Sequence, residues 1–228
     1  MQLGGLQRTT LSDFPGRVAC AVFTAGCNLR CPYCHNPGLI DGDPNSAAAS
    51  TLSEDEFFAF LDDRAAVLEG VVVSGGEPTL HADLPRFVGR IADRGFDVKL
   101  DTNGTRPAVL RETLDTGAVE YVAMDLKTIP DRYDELGADA GEAVERSVEL
   151  IRASGIDHEF RTTFDPGVVA PRDFETLDEL VGDSPLVVQS VGTEDVLCPD
   201  RVRETPVDPL AAIGDAVGEP LPGIEHRE

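Results

Sequence analysis

The chain lacks any run approaching the ~20 consecutive apolar residues that a membrane-spanning helix needs. Residues 1–10 also lack the basic start and the following apolar stretch of a secretory signal. We therefore expect a cytoplasmic protein with no membrane role. Apolar residues still make up 41% of the 228 residues, which is enough to form a sizeable core. This length suits one domain with a small appendage.

Basic residues are scarce, lysine above all. Lys and Arg total 19 against 42 Asp and Glu, so the net charge is −23, and the chain's two lysines are Lys99 and Lys127. Such a surface repels phosphate backbones and anionic lipids, which disfavours binding to nucleic acids or membrane surfaces. Because the acid is spread along the whole chain, we interpret it as halophilic adaptation to a salt-rich cytoplasm, where ions screen self-repulsion. An acidic protein without that adaptation is the alternative.

The cysteines are too few, and odd in number, for a disulfide framework. Three of the five fall within eight residues, as Cys27, Cys31 and Cys34. Thiols with this spacing on a loop can converge on one small volume. A structural zinc ion normally takes four protein ligands, and a four-iron cluster usually takes four thiolates. Cys198 is distant in the sequence, so the residues leave open a zinc knuckle or a cluster with one iron free.

Short apolar runs alternate with helical segments along the chain. The predicted strands span 18–23, 71–74, 96–101, 119–126, 158–164 and 186–189. The first predicted helix follows a capping box at Ser53 and Glu56, the second spans 84–94, and the third begins at Pro107. The fourth and fifth predicted helices span 143–153 and 174–181. A long loop at 24–50 contains a predicted turn at 41–45. The alternation implies parallel strands, in an open doubly wound sheet or an incomplete α/β barrel.

Polar residues gather where the predicted strands end. The segments 75–78, 101–104 and 125–127 follow the second, third and fourth strands. In α/β barrels this edge of the sheet carries the active site. We assign 1–191 to a core domain, with the cysteine loop at 24–40. We expect 192–228 to be an acidic extension packed on the outside, with one short helix at 209–217.

The Cys-x3-Cys-x2-Cys spacing, with Tyr33 before the third cysteine, resembles the signature of the radical S-adenosylmethionine (SAM) enzymes. The continuation from Cys34 to Pro37, Cys-His-Asn-Pro, is similar to the subgroup that activates glycyl radical enzymes. The resemblance covers about residues 11–190. It implies an incomplete (β/α)6 barrel of parallel strands. It also implies a 4Fe–4S cluster held by the three loop cysteines, with SAM on the fourth iron and Tyr33 beside the cofactor.

The resemblance implies cofactor-binding roles at two strand ends. Gly75, Gly76 and Glu77 match the family's Gly-Gly-Glu motif, in which the backbone and the carboxylate bind the ammonium group of SAM. Glycine lets a backbone approach closely, and a carboxylate suits a cation. Asp101 and Asn103 would lie near the ribose or the methionyl part. The same stretch is also typical of an Asx turn with glycine in the left-handed region.

Further residues on the later strands are implied more loosely. Asp125 and Lys127 match an Asp-x-Lys of the activases that lies in the cofactor and peptide cavity, where we assign them catalytic roles. Lys127 would meet a carboxylate there, and Asp125 would help hold a cation. Arg161 either clamps the carboxylate of SAM or pairs with a neighbouring acid. Gln189 would cap the adenine.

The implied activity is reductive cleavage of SAM, followed by abstraction of a hydrogen atom from a glycine of a partner glycyl radical enzyme. The implied partner is anaerobic ribonucleoside-triphosphate reductase, and the implied electron donor is a flavodoxin- or ferredoxin-type protein. One alternative is a radical enzyme that acts on a small metabolite, similar to 7-carboxy-7-deazaguanine synthase, although the Cys-His-Asn-Pro stretch counts against it. Outside enzymes, the alternative is a zinc-stabilised binding module.

Overall fold

The computed structural model describes residues 1–41, 52–218 and 220–227. Within these ranges one eight-stranded sheet runs in sequential order from β1 to β8. The strands are β1 (Leu3–Thr10), β2 (Ala19–Thr24), β3 (Gly70–Gly75), β4 (Asp97–Thr102), β5 (Tyr121–Asp125), β6 (Asp157–Phe164), β7 (Leu186–Ser190) and β8 (Ile224–Arg227). β1 pairs with β2 in antiparallel orientation, and each later pair of neighbours is parallel.

Helices connect the parallel strands. They are α1 (Pro37–Ile40), α2 (Glu54–Arg64), α3 (Leu84–Ala92), α4 (Pro107–Leu114), α5 (Gly141–Ser154), α6 (Asp173–Val181) and α7 (Pro209–Val217). The predicted capping box at the start of α2 is confirmed, because the Ser53 hydroxyl accepts from the Glu56 amide while the Glu56 carboxylate accepts from the Ser53 amide. None of the helices in the described ranges is long and apolar enough to cross a bilayer.

The sheet is an open barrel rather than a doubly wound sheet. A doubly wound sheet reverses its strand order at a switch point, whereas these strands follow one another without a reversal. The sheet is curled, because Gln7 of β1 and Arg227 of β8 line the same cavity. Within the described residues these two edge strands do not pair with each other, so the barrel stays open. The predicted incomplete α/β barrel is confirmed.

The structure adds two edge strands that the sequence analysis missed. β1 contains two adjacent glycines and an exposed polar segment, so its pattern does not resemble a buried strand. β8 has four residues, too few for a periodic pattern. Helix α7 forms where a short helix was expected, but the chain after it returns to extend the sheet instead of remaining outside. The division into 1–191 and 192–228 stays a prediction. Apart from Asp41, the predicted turn at 41–45 lies outside the described residues.

Three phenylalanine rings pack α2 against α3. Phe57 and Phe58 of α2 lie 5.3 Å apart between ring centroids, and each lies 5.5 Å from Phe87 of α3. All three side chains are buried. Because both helices connect strands next to the cysteine loop, this aromatic cluster helps to fix the outer layer of the barrel.

Phe87→Ala should lower the free energy of unfolding by about 3–5 kcal/mol, because it removes a fully buried ring from a close-packed cluster. Urea denaturation would measure the loss. Phe60→Ala, which removes a half-buried ring from α2, is the matched control and should cost clearly less. Equal losses in the two variants would contradict the assignment of Phe87 to the core.

Candidate active site

A pocket of about 230 Å³ lies at the carboxyl ends of the parallel strands. We call it the upper pocket. The predicted site residues that line it are Cys27, Cys31, Tyr33, Cys34, Gly75, Gly76, Glu77, Asp101, Asn103, Asp125 and Lys127. The structure therefore brings the three thiols together with the polar ends of β3, β4 and β5. Arg161 and Gln189 line a second cavity instead.

The cysteine loop is held by its backbone at both ends. The amides of Gly26 and Cys27 donate to carbonyls of α1 at 2.6 and 2.9 Å. At the other end, the amide of Leu197 donates to the Cys34 carbonyl at 3.1 Å, and the amide of Cys198 donates to the Pro32 carbonyl at 2.9 Å. Cys198, which is isolated in the sequence, thus lies against the loop in space, although it does not line the upper pocket.

The two glycines after β3 are required by the cysteine loop. A Cβ on Gly76 would stand 2.1 Å from the carbonyl oxygen of Gly26, and one on Gly75 would stand 2.2 Å from the amide nitrogen of Thr24. This close approach lets the amide of Gly76 donate to Thr24 at 2.9 Å and the amide of Glu77 donate to Gly26 at 2.8 Å. The glycine pair therefore joins the end of β3 to the start of the loop, a reason that the sequence analysis did not anticipate.

Glu77 is a buried junction between β3 and β4. Its carboxylate accepts hydrogen bonds from the amide of Thr79 at 2.9 Å, the hydroxyl of Thr102 at 2.7 Å and the amide of Asn103 at 2.6 Å. The Thr79 hydroxyl also donates to it. Burial raises the pKa of Glu77, and these hydrogen bonds act in the opposite direction. Oxygen Oε2 accepts one hydrogen bond from the described donors, that of the Asn103 backbone amide, so it retains acceptor capacity, and Glu77 lines the upper pocket.

A second junction ties the loop to the end of β4. The Asn103 side-chain oxygen accepts from the amide of Thr105 at 3.0 Å, and Gly104 has a φ of +73°. The Asx turn that the sequence left open is therefore present. The side-chain amide of Asn103 also donates to the side-chain oxygen of Asn28 at 3.2 Å, and the side-chain amide of Asn28 donates to the Thr105 hydroxyl at 2.9 Å. Sequence reasoning missed Asn28 and Thr105, since no spacing or pattern marks them.

Alternating charges cross the strands at the upper pocket and directly below it. The Lys99 ammonium lies 2.6 Å from Asp101, and the Lys127 ammonium lies 3.1 Å from Asp125. Arg161 lies between the two carboxylates, 2.9 Å from Asp125 and 3.6 Å from Asp101. The sheet register explains the contact, because Asp125 of β5 stands directly opposite Arg161 of β6. Arg161 thus pairs with neighbouring acids, which was one of its two predicted roles.

These pairs determine the protonation of the pocket. Burial alone would raise the pKa of Asp125, but Arg161 and Lys127 outweigh it and lower that pKa to about 2. Burial would lower the pKa of Lys127, but Asp125 and Cys31 raise it. Burial raises the pKa of Cys31 to about 11, while the Lys127 charge acts in the opposite direction. The pocket therefore holds an ionised Asp125, a charged Lys127 and a protonated Cys31 thiol at neutral pH.

Two tyrosines fix the backbone that carries Lys127. The Tyr33 hydroxyl lies 3.5 Å from the Lys127 carbonyl, and the Lys127 amide donates to the Tyr133 hydroxyl at 3.1 Å. Both rings are buried. Burial also raises the pKa of Tyr33 well above its usual value, so its phenol stays neutral and forms an apolar wall of the upper pocket.

The thiols fit a polynuclear cluster better than a single ion. Among the described residues, no three His, Cys, Asp or Glu side chains are grouped closely enough to hold one metal ion. In a 4Fe–4S cluster each thiolate binds a different iron, so the sulfurs surround the cluster instead of meeting at one point. Cys27, Cys31 and Cys34 line one pocket, and Cys27 and Cys34 each act electrostatically on Cys31. No fourth cysteine of the described chain lines this pocket.

Comparison with known sequences identifies relatives of the chain. A profile described as the Radical SAM superfamily matches residues 21–181. A candidate glycyl-radical enzyme activating enzyme of Methanocaldococcus jannaschii is 32% identical over 81% of this chain and 77% of its own length. A probable GTP 3',8-cyclase of Pyrococcus horikoshii is 34% identical over 46% of this chain and 33% of its own length. The 7-carboxy-7-deazaguanine synthase of Aquifex aeolicus is 32% identical over 35% of this chain and 33% of its own length.

Solved structures share the fold at low sequence identity. Streptococcus suis SuiB bound to its precursor peptide SuiA gives a TM-score of 0.66 with 13% identity, over 91% of this chain and 48% of that chain. The radical SAM methyltransferase TsrM of Kitasatospora setae, with cobalamin and a [4Fe–4S] cluster bound, gives a TM-score of 0.54 with 15% identity, over 78% of this chain and 35% of that chain. The chain thus spans half or less of these neighbours, and the likeness concerns the barrel alone.

Gly76→Ala should destabilise the protein by about 1–3 kcal/mol, because the added methyl group meets backbone that cannot move aside. It should also displace the cysteine loop and raise the rate at which Cys27 reacts with a thiol reagent. Thermal unfolding and timed alkylation would measure the two effects. Gly89→Ala is the matched control, since a Cβ there meets nothing within 4 Å. It should leave alkylation unchanged, and equal effects in both variants would contradict this role of Gly76.

Proposed function

Because the chain belongs to the radical SAM superfamily, we propose that it is an activase that removes a hydrogen atom from a glycine of a partner glycyl radical enzyme. The observation that carries the proposal is the similarity to the M. jannaschii candidate activase, which extends over 81% of the chain. The Cys-His-Asn-Pro continuation supports it. In the structure His35 and Asn36 of this stretch line both the upper pocket and a neighbouring surface groove, where a partner's peptide could contact them.

The cofactors of the superfamily are a 4Fe–4S cluster and SAM. Cys27, Cys31 and Cys34 would hold the cluster, which when bound supplies the electron for reductive cleavage of SAM. The loop thiols must lose their protons to act as ligands. Lys127 assists this change, because its charge lowers the pKa of Cys27 and of Cys31 against the larger effect of burial.

Lys127 and Glu77 offer opposite charges to an amino acid group in the pocket. The Lys127 ammonium would bind a carboxylate, either of SAM or of the partner's peptide. Asp125 holds that ammonium in place from 3.1 Å, and its ionised state keeps the pair charged at any pH near neutrality. The remaining acceptor capacity of Glu77 Oε2 would take the ammonium group of SAM. Asp101 and Asn103, at the end of β4, would lie along the ribose or the methionyl part.

The walls of the pocket restrict access of water. Leu29 and Tyr33 are buried at the pocket wall, and they present apolar surface beside the thiols. Hydrogen abstraction requires that solvent and other hydrogen donors be kept from the reacting atoms. The mouth of the pocket is open, so we propose that the glycine-bearing loop of the partner closes it on docking.

Anaerobic ribonucleoside-triphosphate reductase is the partner that we propose, with a flavodoxin- or ferredoxin-type protein as electron donor. The net charge of −23 repels any acidic partner at low salt. Ions screen that repulsion, so docking should require either a salt-rich medium or a locally complementary surface.

A small-metabolite radical enzyme is the second candidate. The matches to the GTP 3',8-cyclase and to 7-carboxy-7-deazaguanine synthase favour it, because both act on free small molecules by name. These matches cover less than half of the chain, whereas the match to the candidate activase covers most of it. The activase is therefore the function that we favour.

Cys31→Ala should prevent cluster assembly, since it removes one of three thiolates. Anaerobic reconstitution of the unaltered chain should give about four irons per chain, and the variant should give well under one. Iron and sulfide analysis would measure this, with Cys198→Ala as the matched control because that thiol does not line the upper pocket. A normal iron content in Cys31→Ala, or zinc in place of iron in the unaltered chain, would refute the ligand assignment.

The reduced, reconstituted protein should generate a glycine-centred doublet in the electron paramagnetic resonance spectrum of the reductase encoded in the same genome. 5′-Deoxyadenosine should form together with the doublet. A partner whose radical glycine is replaced by alanine should give no doublet. If 5′-deoxyadenosine forms with a free small molecule such as GTP, the substrate in the name of one relative, and the partner develops no radical, the small-metabolite function replaces the activase.

A further inference from the structure

A second cavity lies below the upper pocket, toward the amino ends of the strands. We call it the lower chamber. Its volume is about 420 Å³. Among the described residues, the charged or amide-bearing side chains that line it from the strands are Gln7, Lys99, Asp101, Glu159, Arg161, Gln189 and Arg227. Side chains two residues apart on a strand share a face, which explains why residues 99 and 101 of β4 both point into the barrel. Asp101 and Ser74 line both cavities, so the two spaces are adjacent.

The buried ammonium group of Lys99 lines the lower chamber and has unused hydrogen-bond donors. The residue is 2% exposed, and within the described chain its ammonium donates one hydrogen bond, to Asp101. The centroid of the Tyr121 ring lies 6.0 Å from this ammonium, a distance at which the cation–π attraction is weak. An ammonium group has three donors. Two of them therefore have no acceptor in the described protein.

Arg161 adds further donors without acceptors. Its Nε donates to Asp125 at 2.9 Å. Its Nη2 lies 3.6 Å from a carboxylate oxygen of Asp101, too far for a hydrogen bond. Gln189 lies on the same chamber wall and forms no hydrogen bond through its side-chain amide in the described structure. Lys99 is buried, whereas Arg161 and Gln189 are partly exposed, and no nitrogen of these three side chains is both sealed from solvent and without a partner among the described residues. The three neighbouring groups therefore present free donors to the open chamber, where a ligand with acceptor atoms can take the place of water.

The carboxylates of the chamber do not supply that acceptor. Asp101 is bound by Lys99, and Glu159 is bound by Arg227 at 3.0 Å. With Asp13, the described residues of the lining carry three cations and three anions. A single added negative charge is therefore tolerated better than two. Phe23 and Val72 supply an apolar wall beside these groups.

We propose that the lower chamber binds a compact organic monocarboxylate. Its carboxylate lies between the Lys99 ammonium and the Arg161 guanidinium, and Gln189 donates to the same group. Its carbon skeleton packs against Phe23 and Val72. The proposal does not depend on which partner or substrate the upper pocket serves. Arg161 also pairs with Asp125 at 2.9 Å, so the ligand would contact a residue that positions the upper pocket.

Isothermal titration of the full-length chain at fixed ionic strength tests this, with sodium propionate as the probe and propionamide as its uncharged isostere. Propionate should bind saturably, and propionamide should bind at least about tenfold more weakly, because it lacks the charge that the two cations require. Lys99→Met should weaken propionate binding by at least about tenfold. Gln189→Leu, which leaves the ion pairs intact, should weaken it measurably even if Lys99→Met does not fold.

Arg17→Gln is the matched control, because it removes a cation whose ion pair with Asp97 is exposed. It should bind propionate as the unaltered chain does. The proposal is overturned if propionate gives no saturable heat, if propionamide binds equally well, or if Arg17→Gln loses as much affinity as the chamber variants. Tighter binding of inorganic phosphate than of propionate would also overturn it, since the charge balance favours one negative charge.

Discussion

The approach of Gly76 to the carbonyl of Gly26 fixes the position of the cysteine loop against the sheet. Neither residue has a side chain, so two backbone segments meet at hydrogen-bonding distance, and the amide of Glu77 donates to Gly26 at 2.8 Å. From that point the Glu77 carboxylate reaches the end of β4. The thiols are thus positioned relative to two strand ends by backbone and by a buried carboxylate, both of which are stiffer supports than a flexible surface side chain.

Much of the inner sheet and the cysteine loop could be predicted from the sequence. Buried parallel strands appear in the sequence as short apolar runs, and the three thiols lie within eight residues. Both features can therefore be recognised from a short stretch of sequence. The pairing of Arg161 with Asp125 depends on the register between β5 and β6, which no single window contains. Asn28 was missed for the same reason, since its partners lie more than seventy residues away. The edge strand β8 was missed because four residues carry too little pattern.

Charge is distributed differently inside and outside the barrel. The chain as a whole carries −23, and its basic residues are almost all arginine. Its two lysines both lie in the barrel interior, Lys127 at the upper pocket and Lys99 at the lower chamber. Each is paired with an aspartate two residues away on the same strand or just beyond its end. Lysine thus occurs at positions where its ammonium group is paired with a specific carboxylate, and the basic residues of the acidic surface are all arginines.

Burial of the loop thiols has a consequence for the lifetime of the metal-free protein. Because burial raises the pKa of Cys27 and Cys31, these groups remain thiols near neutrality, and it is the thiolate form that attacks peroxides and disulfides. The unloaded chain is therefore slow to oxidise at the residues it can least afford to lose. In the proposed role of Cys27 and Cys31 as cluster ligands, binding of iron and sulfide displaces those protons, so cluster assembly would release acid and proceed more readily in mildly alkaline medium.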